Sequence, residues 1–202
     1  MNRFLIAIVL VSSLITKVTI AAEPDRIAVR SQAWQKVLEQ REFVFHDEEA
    51  SAFYSLFGYG GTCQVRMTYD PANPMALSFE FVRKGKDVLT IQGHLMSVFE
   101  SAGDVLYFAH YRYASGGSVV TAHDLVTGRQ LWETRVTGVR EIAHSKYSNR
   151  VTIHIESGVG ADKGDELAIS IAGHEGSGDY IEVLDAATGT VLAHRVYRQA
   201  EG

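Results

Sequence analysis

The chain has 202 residues, of which 46% are apolar and 21% charged, and its formal net charge is −5. That balance excludes wholesale disorder, and a single cysteine, Cys63, excludes a disulfide-stapled mini-protein. One long apolar run excludes a polytopic membrane fold, and the length suits one domain or two very small ones.

That run opens the sequence. Met1–Ala22 reads as a secretory signal peptide: Arg3 supplies the positive end, Phe4–Ile15 the apolar core, and Thr19, Ala21 and Ala22 the small residues for cleavage. The core is too short to span a bilayer, and Lys17 interrupts it. The expected address is therefore secreted or periplasmic, with no membrane span in the mature chain. Removing residues 1–22 takes away Arg3 and Lys17 and leaves a net charge of −7. That charge, with no basic cluster, argues against nucleic acid as a partner.

Residues 23–202 read as one β-rich domain, with a helical part at about 23–62 and a repeat part at about 63–198. Arg30–Arg41 is the first predicted helix. Trp34, Val37 and Leu38 share a face, and Ser31 is placed to cap it. Asp47–Phe57 is a second, shorter candidate ending at Gly58. From Cys63 the period becomes two. Val65, Met67 and Tyr69 alternate with polar residues, as do Leu77, Phe79 and Phe81, and Val151, Ile153 and Ile155. Such strands bury one face, and turn signals at Asp70-Pro71, Lys84-Gly85-Lys86 and Ser115-Gly116-Gly117 separate them.

The most informative feature is a repeat. Residues 103–136 align without gaps to 164–197, at an offset of 61. Identities include Gly103/Gly164, Asp104/Asp165, Leu106/Leu167, Gly117/Gly178, Asp124/Asp185, Thr127/Thr188, Gly128/Gly189 and Leu131/Leu192. A preceding strand completes each unit, at His94–Glu100 and Arg150–Glu156, and a weaker third copy covers Gln64–Gln92. In Asp-x-x-Thr-Gly the carboxylate accepts hydrogen bonds from turn amides, and Gly takes the left-handed position. Leu131 and Leu192 then start the next strand toward the core.

Ala122–Glu133 (AHDLVTGRQLWE) and Val183–His194 (VLDAATGTVLAH) resemble quinoprotein-type, or PQQ-like, β-propeller repeats. The first copy matches that signature at Ala122, Asp124, Thr127, Gly128 and Trp132, and the second keeps Asp185, Thr188 and Gly189. The resemblance covers residues 94–197. It implies blade-like antiparallel meanders, with Trp132 docking one blade on the next. It carries over no cofactor ligand, and no cofactor is expected. The mature length holds two or three units, whereas propellers use about four to eight blades. An open or incomplete propeller, a sandwich, or a propeller completed by a second chain all stay open, so a homo-oligomer is allowed for.

No catalytic motif accompanies the repeat. The eight histidines form no HxH, HExxH or HxxxH pair, and Gly158–Glu166 departs from the EF-hand spacing. Cys63 follows a glycine cluster, and it reads as a buried thiol at a strand start. Tyr107, Tyr111, Tyr113 and Arg112 form a candidate binding surface, because Tyr and Arg are enriched at interfaces. The expectation is an exported, non-catalytic binding or scaffolding protein whose ligand, protein or small molecule, is unnamed. The alternative is an exported hydrolase or metal-dependent enzyme assembled from residues on separate strands.

Overall fold

The computed structural model describes residues 23–40, 63–70, 72–94, 97–112, 117–136, 150–156, 166–175 and 178–198. Among the described residues, one helix, α1 (Glu23–Gln40), precedes eleven strands. The first sheet is β1 (Cys63–Asp70), β2 (Asn73–Arg83) and β3 (Lys86–His94). The second is β4 (Val98–Ala102), β5 (Val105–Arg112), β6 (Gly117–Asp124) and β7 (Gln130–Arg135). The third is β8 (Arg150–Glu156), β9 (Ala168–Glu175), β10 (Gly178–Asp185) and β11 (Val191–Arg198). All three are antiparallel meanders in chain order, and none closes into a barrel. The expected mainly-β fold of two to three meander units with a short N-terminal helix is therefore what forms.

The sheets stack face to face. Each has a forward face, toward the following unit, and a rear face toward the preceding one. Phe79, Phe81 and Ile91 on the forward face of the first sheet pack on Phe99, Leu106 and Phe108 on the rear face of the second. Tyr107, Val120 and Ala122 on the forward face of the second pack on Ile153, Ile171 and Leu184 of the third. Ile181, Val183 and Leu192 on the forward face of the third pack on Trp34 and Leu38 of α1. Helix α1 thus occupies the place a following sheet would take. At the other end, the rear face of the first sheet is polar. Arg66 pairs with Glu80 at 3.0 Å, and Gln92 donates to Ser78 at 3.1 Å. A wetted face there and a helix at the far end bound the stack without exposing a bare apolar sheet.

Strand register confirms the repeat and corrects its alignment. In the β2–β3, β6–β7 and β10–β11 hairpins the register shifts at one equivalent place, after Phe81, Ala122 and Val183. The first sheet is therefore a third unit, lacking the opening strand. But Val105 pairs with Asp124 while Ala168 pairs with Asp185. Asp104 and Leu106 consequently correspond to Leu167 and Ile169, not to Asp165 and Leu167. The gap-free alignment slips by two residues in this strand, because β9 and β10 are separated by two residues where β5 and β6 are separated by four. An even slip preserves the inward face, so periodicity could not expose it. The opening strand of the second unit is β4, and His94 belongs to β3.

Helix α1 begins seven residues earlier than its apolar period suggests. Pro24 suits the first turn, as do the acids Glu23 and Asp25. Ser31 lies within the helix and caps nothing. The first half escaped the apolar pattern because its inward positions are arginines, which meet carboxylates. Arg195 of β11 donates to the Leu38 carbonyl near the helix end and lies 4.7 Å over the Tyr197 ring. The second helix candidate, Asp47–Phe57, lies outside the described residues.

Candidate functional site

The two Asp-x-x-Thr-Gly turns have the expected geometry. Asp124 Oδ1 accepts from the amides of Val126 (2.7 Å) and Thr127 (3.3 Å), and Gly128 returns an amide bond to the Asp124 carbonyl. Asp185 Oδ1 accepts from the amides of Ala187 (3.1 Å) and Thr188 (2.8 Å) and from the Thr188 hydroxyl (2.9 Å). Gly128 and Gly189 both have φ of 71°, which non-glycine residues adopt only with strain. The hydrogen bonds from Val126 and Thr127 hold the Asp124 carboxyl below the usual carboxylate range.

The turns also join one unit to the next. The backbone of Gly128 lies against the Val88 carbonyl on β3, so close that a methyl group would clash. Gly189 lies against Trp132 and Thr134 on β7 in the same way. Trp132 donates its indole N–H to the Ala186 carbonyl at 3.1 Å, and the Thr134 hydroxyl donates to the Gly189 carbonyl at 2.6 Å. Trp132 therefore docks the second unit on the third. On the inner side, Glu100 of β4 accepts the Ile155 amide of β8 at 2.8 Å. That carboxylate satisfies an edge amide that would otherwise invite another strand.

Asp185 has a second task. Its other oxygen takes Arg30, with Arg26 at 3.5 Å, and both arginines also reach Glu166, at 3.2 and 3.1 Å. Arg30 donates further to the Leu167 carbonyl at 2.9 Å. The Asp185 side chain is 1% exposed. A buried pair of this kind holds α1 in place: removing one partner strands the other charge, at a cost of about 3–5 kcal/mol. Nothing in the local sequence marks Arg26, Arg30 and Glu166 as partners, because they lie some 140 residues apart.

Of the candidate aromatic surface, Tyr107 is corrected. Tyr107 is 4% exposed. Its ring lies 5.9 Å from Trp132, and its hydroxyl donates to the Ala186 carbonyl at 3.4 Å. Alternation along β5 holds, with Tyr107 on one face and Phe108 and His110 on the other, but both faces are covered. The second sheet lies between two others, so Tyr107 and Phe108 each face a neighbouring sheet. Tyr111 and Arg112 lie on β5 opposite Ser118 and Gly117, and Tyr113 lies outside the described residues. Leu131 is a second correction. It is 40% exposed, whereas its counterpart Leu192 is 5% exposed beneath α1.

Four histidines spread over separate elements are described by side chain on the second and third sheets. His110 and His123 are buried on the second sheet, while His154 and His194 are exposed on the third. Among the described residues no three His, Cys, Asp or Glu side chains come together to hold a metal ion. No described helix is long and apolar enough to cross a membrane.

No protein-family pattern and no curated protein sequence matches the chain. Among solved structures, the Bacillus megaterium YpeB C-terminal domain is matched at 11% identity, over 77% of this chain and 99% of that chain. The TM-score is 0.19, too low to carry an argument about fold or role.

Proposed function

We propose that this chain is an exported, non-catalytic β-repeat protein whose stacked sheets serve as a binding or scaffolding body. The observation that carries the reading is the use made of the repeat motif. Asp124, Gly128, Asp185, Thr188 and Gly189 hold turns, and Trp132 joins two sheets. The residues most specific to the repeat are committed to architecture, which leaves the outward surface as the variable part. The resemblance to PQQ-like repeats is in keeping with a scaffold. Met1–Ala22 and the lone Cys63 support export. Contact with a protein or small-molecule ligand then falls to outward positions such as Val126 and Leu131, beside the second-sheet turn.

The test is expression of the full chain in an exporting bacterium, with fractionation and intact-mass measurement. The reading expects the exported fraction to hold a chain shortened by about 22 residues. A photo-cross-linker at Val126 or Leu131 is expected to yield a discrete adduct. A full-length chain confined to the cytoplasm contradicts export, and no adduct from any outward position contradicts the binding role.

A further inference from the structure

The rear face of the second sheet carries two buried histidines, whereas the described residues of the same face of the third sheet carry only the exposed His194. His123 on β6 corresponds to Leu184 on β10, and His110 on β5 to Gly173 on β9, whose empty space Tyr180 fills. Both histidines are buried. His123 Nε2 meets the Thr121 hydroxyl at 3.0 Å, and its Nδ1 has no hydrogen-bond partner among the described residues. The His110 ring lies 5.4 Å from Phe108.

The face of the first sheet that covers them is apolar. Its described side chains there include Leu77, Phe79, Phe81, Leu89 and Ile91, and the one ionisable group among those described is Arg83 at its end. On the second sheet itself, β4 contributes Phe99 and β5 contributes Leu106 and Phe108. β7 places Glu133 and Arg135 at the exposed rim. Arg83 at the end of β2 is bound by Asp104 at 2.6 Å. His94 closes β3 at the corner into β4, half-buried, its amide bonded to the Ser97 hydroxyl. A proton on His123 would thus add a charge between two apolar layers.

We propose that the junction between the first and second sheets is a latch that acid opens: protonation of His123, with His110 on the same face, releases β1–β3 from the rest of the stack. Burial holds the His123 imidazole below its ordinary range and outweighs the opposing field of Glu133. Burial lowers His94 as well. The unfolded or opened chain therefore binds more protons than the closed one. The stabilisation is complete above the ordinary imidazole value, about 6.5, and is lost as pH falls below it. Each such histidine raises the opening constant by up to about tenfold per pH unit in that window. Opening would uncover the rings of Phe79, Phe81, Phe99 and Phe108. The latch stands independently of whether the chain is exported.

The test is hydrogen exchange of the intact protein at about pH 7.5 and about pH 5, corrected for the intrinsic pH dependence of exchange. Amides of β1 and β2 are expected to lose about tenfold or more in protection at the lower pH, while those of β9 and β10 hold. In His123→Leu, which restores the residue of the third sheet, the loss shrinks to a few-fold. A loss spread equally over the three sheets, or one undiminished in the variant, overturns the latch. If His123→Leu fails to fold, His123→Gln takes its place. The imidazole of wild-type His123, followed by NMR, must also titrate below about 6.5. Titration at or above that value overturns the proposal.

Discussion

The first junction is closed by four phenylalanine rings, whereas the second is closed largely by aliphatic side chains and hydrogen bonds to a turn. In the first, Phe79 and Phe81 meet Phe99 and Phe108 edge to face, at 5.0–6.4 Å. In the second, Val120, Ala122, Ile153 and Ile171 form the layer, and Tyr107, Trp132 and Thr134 grip the carbonyls of Ala186 and Gly189. The position filled by Trp132 is Leu89 in the first unit and Ala193 in the third. The repeat therefore keeps the hairpin, with its register shift in the same place, and varies what docks on it. A small residue at Ala193 suits a helix as the next layer, and an indole suits a turn.

The sharpest way to separate the two junctions is to empty equivalent places. Phe108→Ala should cost about 4 kcal/mol, because the ring is fully buried against three others. Ile171→Ala, at the same place in the third sheet, should cost about 3 kcal/mol. Urea unfolding measures both, and equal losses would erase the distinction between an aromatic and an aliphatic junction.

The two turn carboxylates give the next contrast. Asp185→Asn leaves the buried Arg30 with only the more exposed Glu166 as its counter-charge and should cost about 3 kcal/mol. Asp124→Asn retains an acceptor for the turn amides in an exposed place and should shift the melting temperature only slightly. Similar shifts for the two would mean that α1 does not depend on the Asp185 contact. The smallest effect concerns the first unit. Lys84 sits at φ of 50° beside Gly85, in a two-residue turn that favours Asn-Gly. Lys84→Asn should raise stability by about 0.5–1 kcal/mol, read as a higher urea midpoint.

Much of this architecture was legible because it is local. The Asp-x-x-Thr-Gly turns state their own geometry, and alternation at Leu77–Phe81 and Val151–Ile155 names the buried faces correctly. What failed was long-range. Alternation places Tyr107 and Phe108 on opposite faces but cannot say that both are covered. Leu131 and Leu192 are identical in the repeat and differ only in whether a helix lies above them. The start of α1 was hidden because its inward residues, Arg26 and Arg30, are polar in sequence and become interior only through Glu166 and Asp185. A slip of two residues in β9 left no trace in the pattern, since every side chain kept its face.

The account turns on α1 lying where a further sheet would lie, and Trp34 reports on that most directly. The chain has two tryptophans, and Trp132→Phe leaves Trp34 alone at the modest cost of one hydrogen bond, about 1 kcal/mol. Trp34 is buried between α1 and the third sheet, so its fluorescence in that variant should resist quenching by iodide and acrylamide until the protein unfolds. Quenching in the folded state at the rate of a free indole would show that α1 does not close the stack.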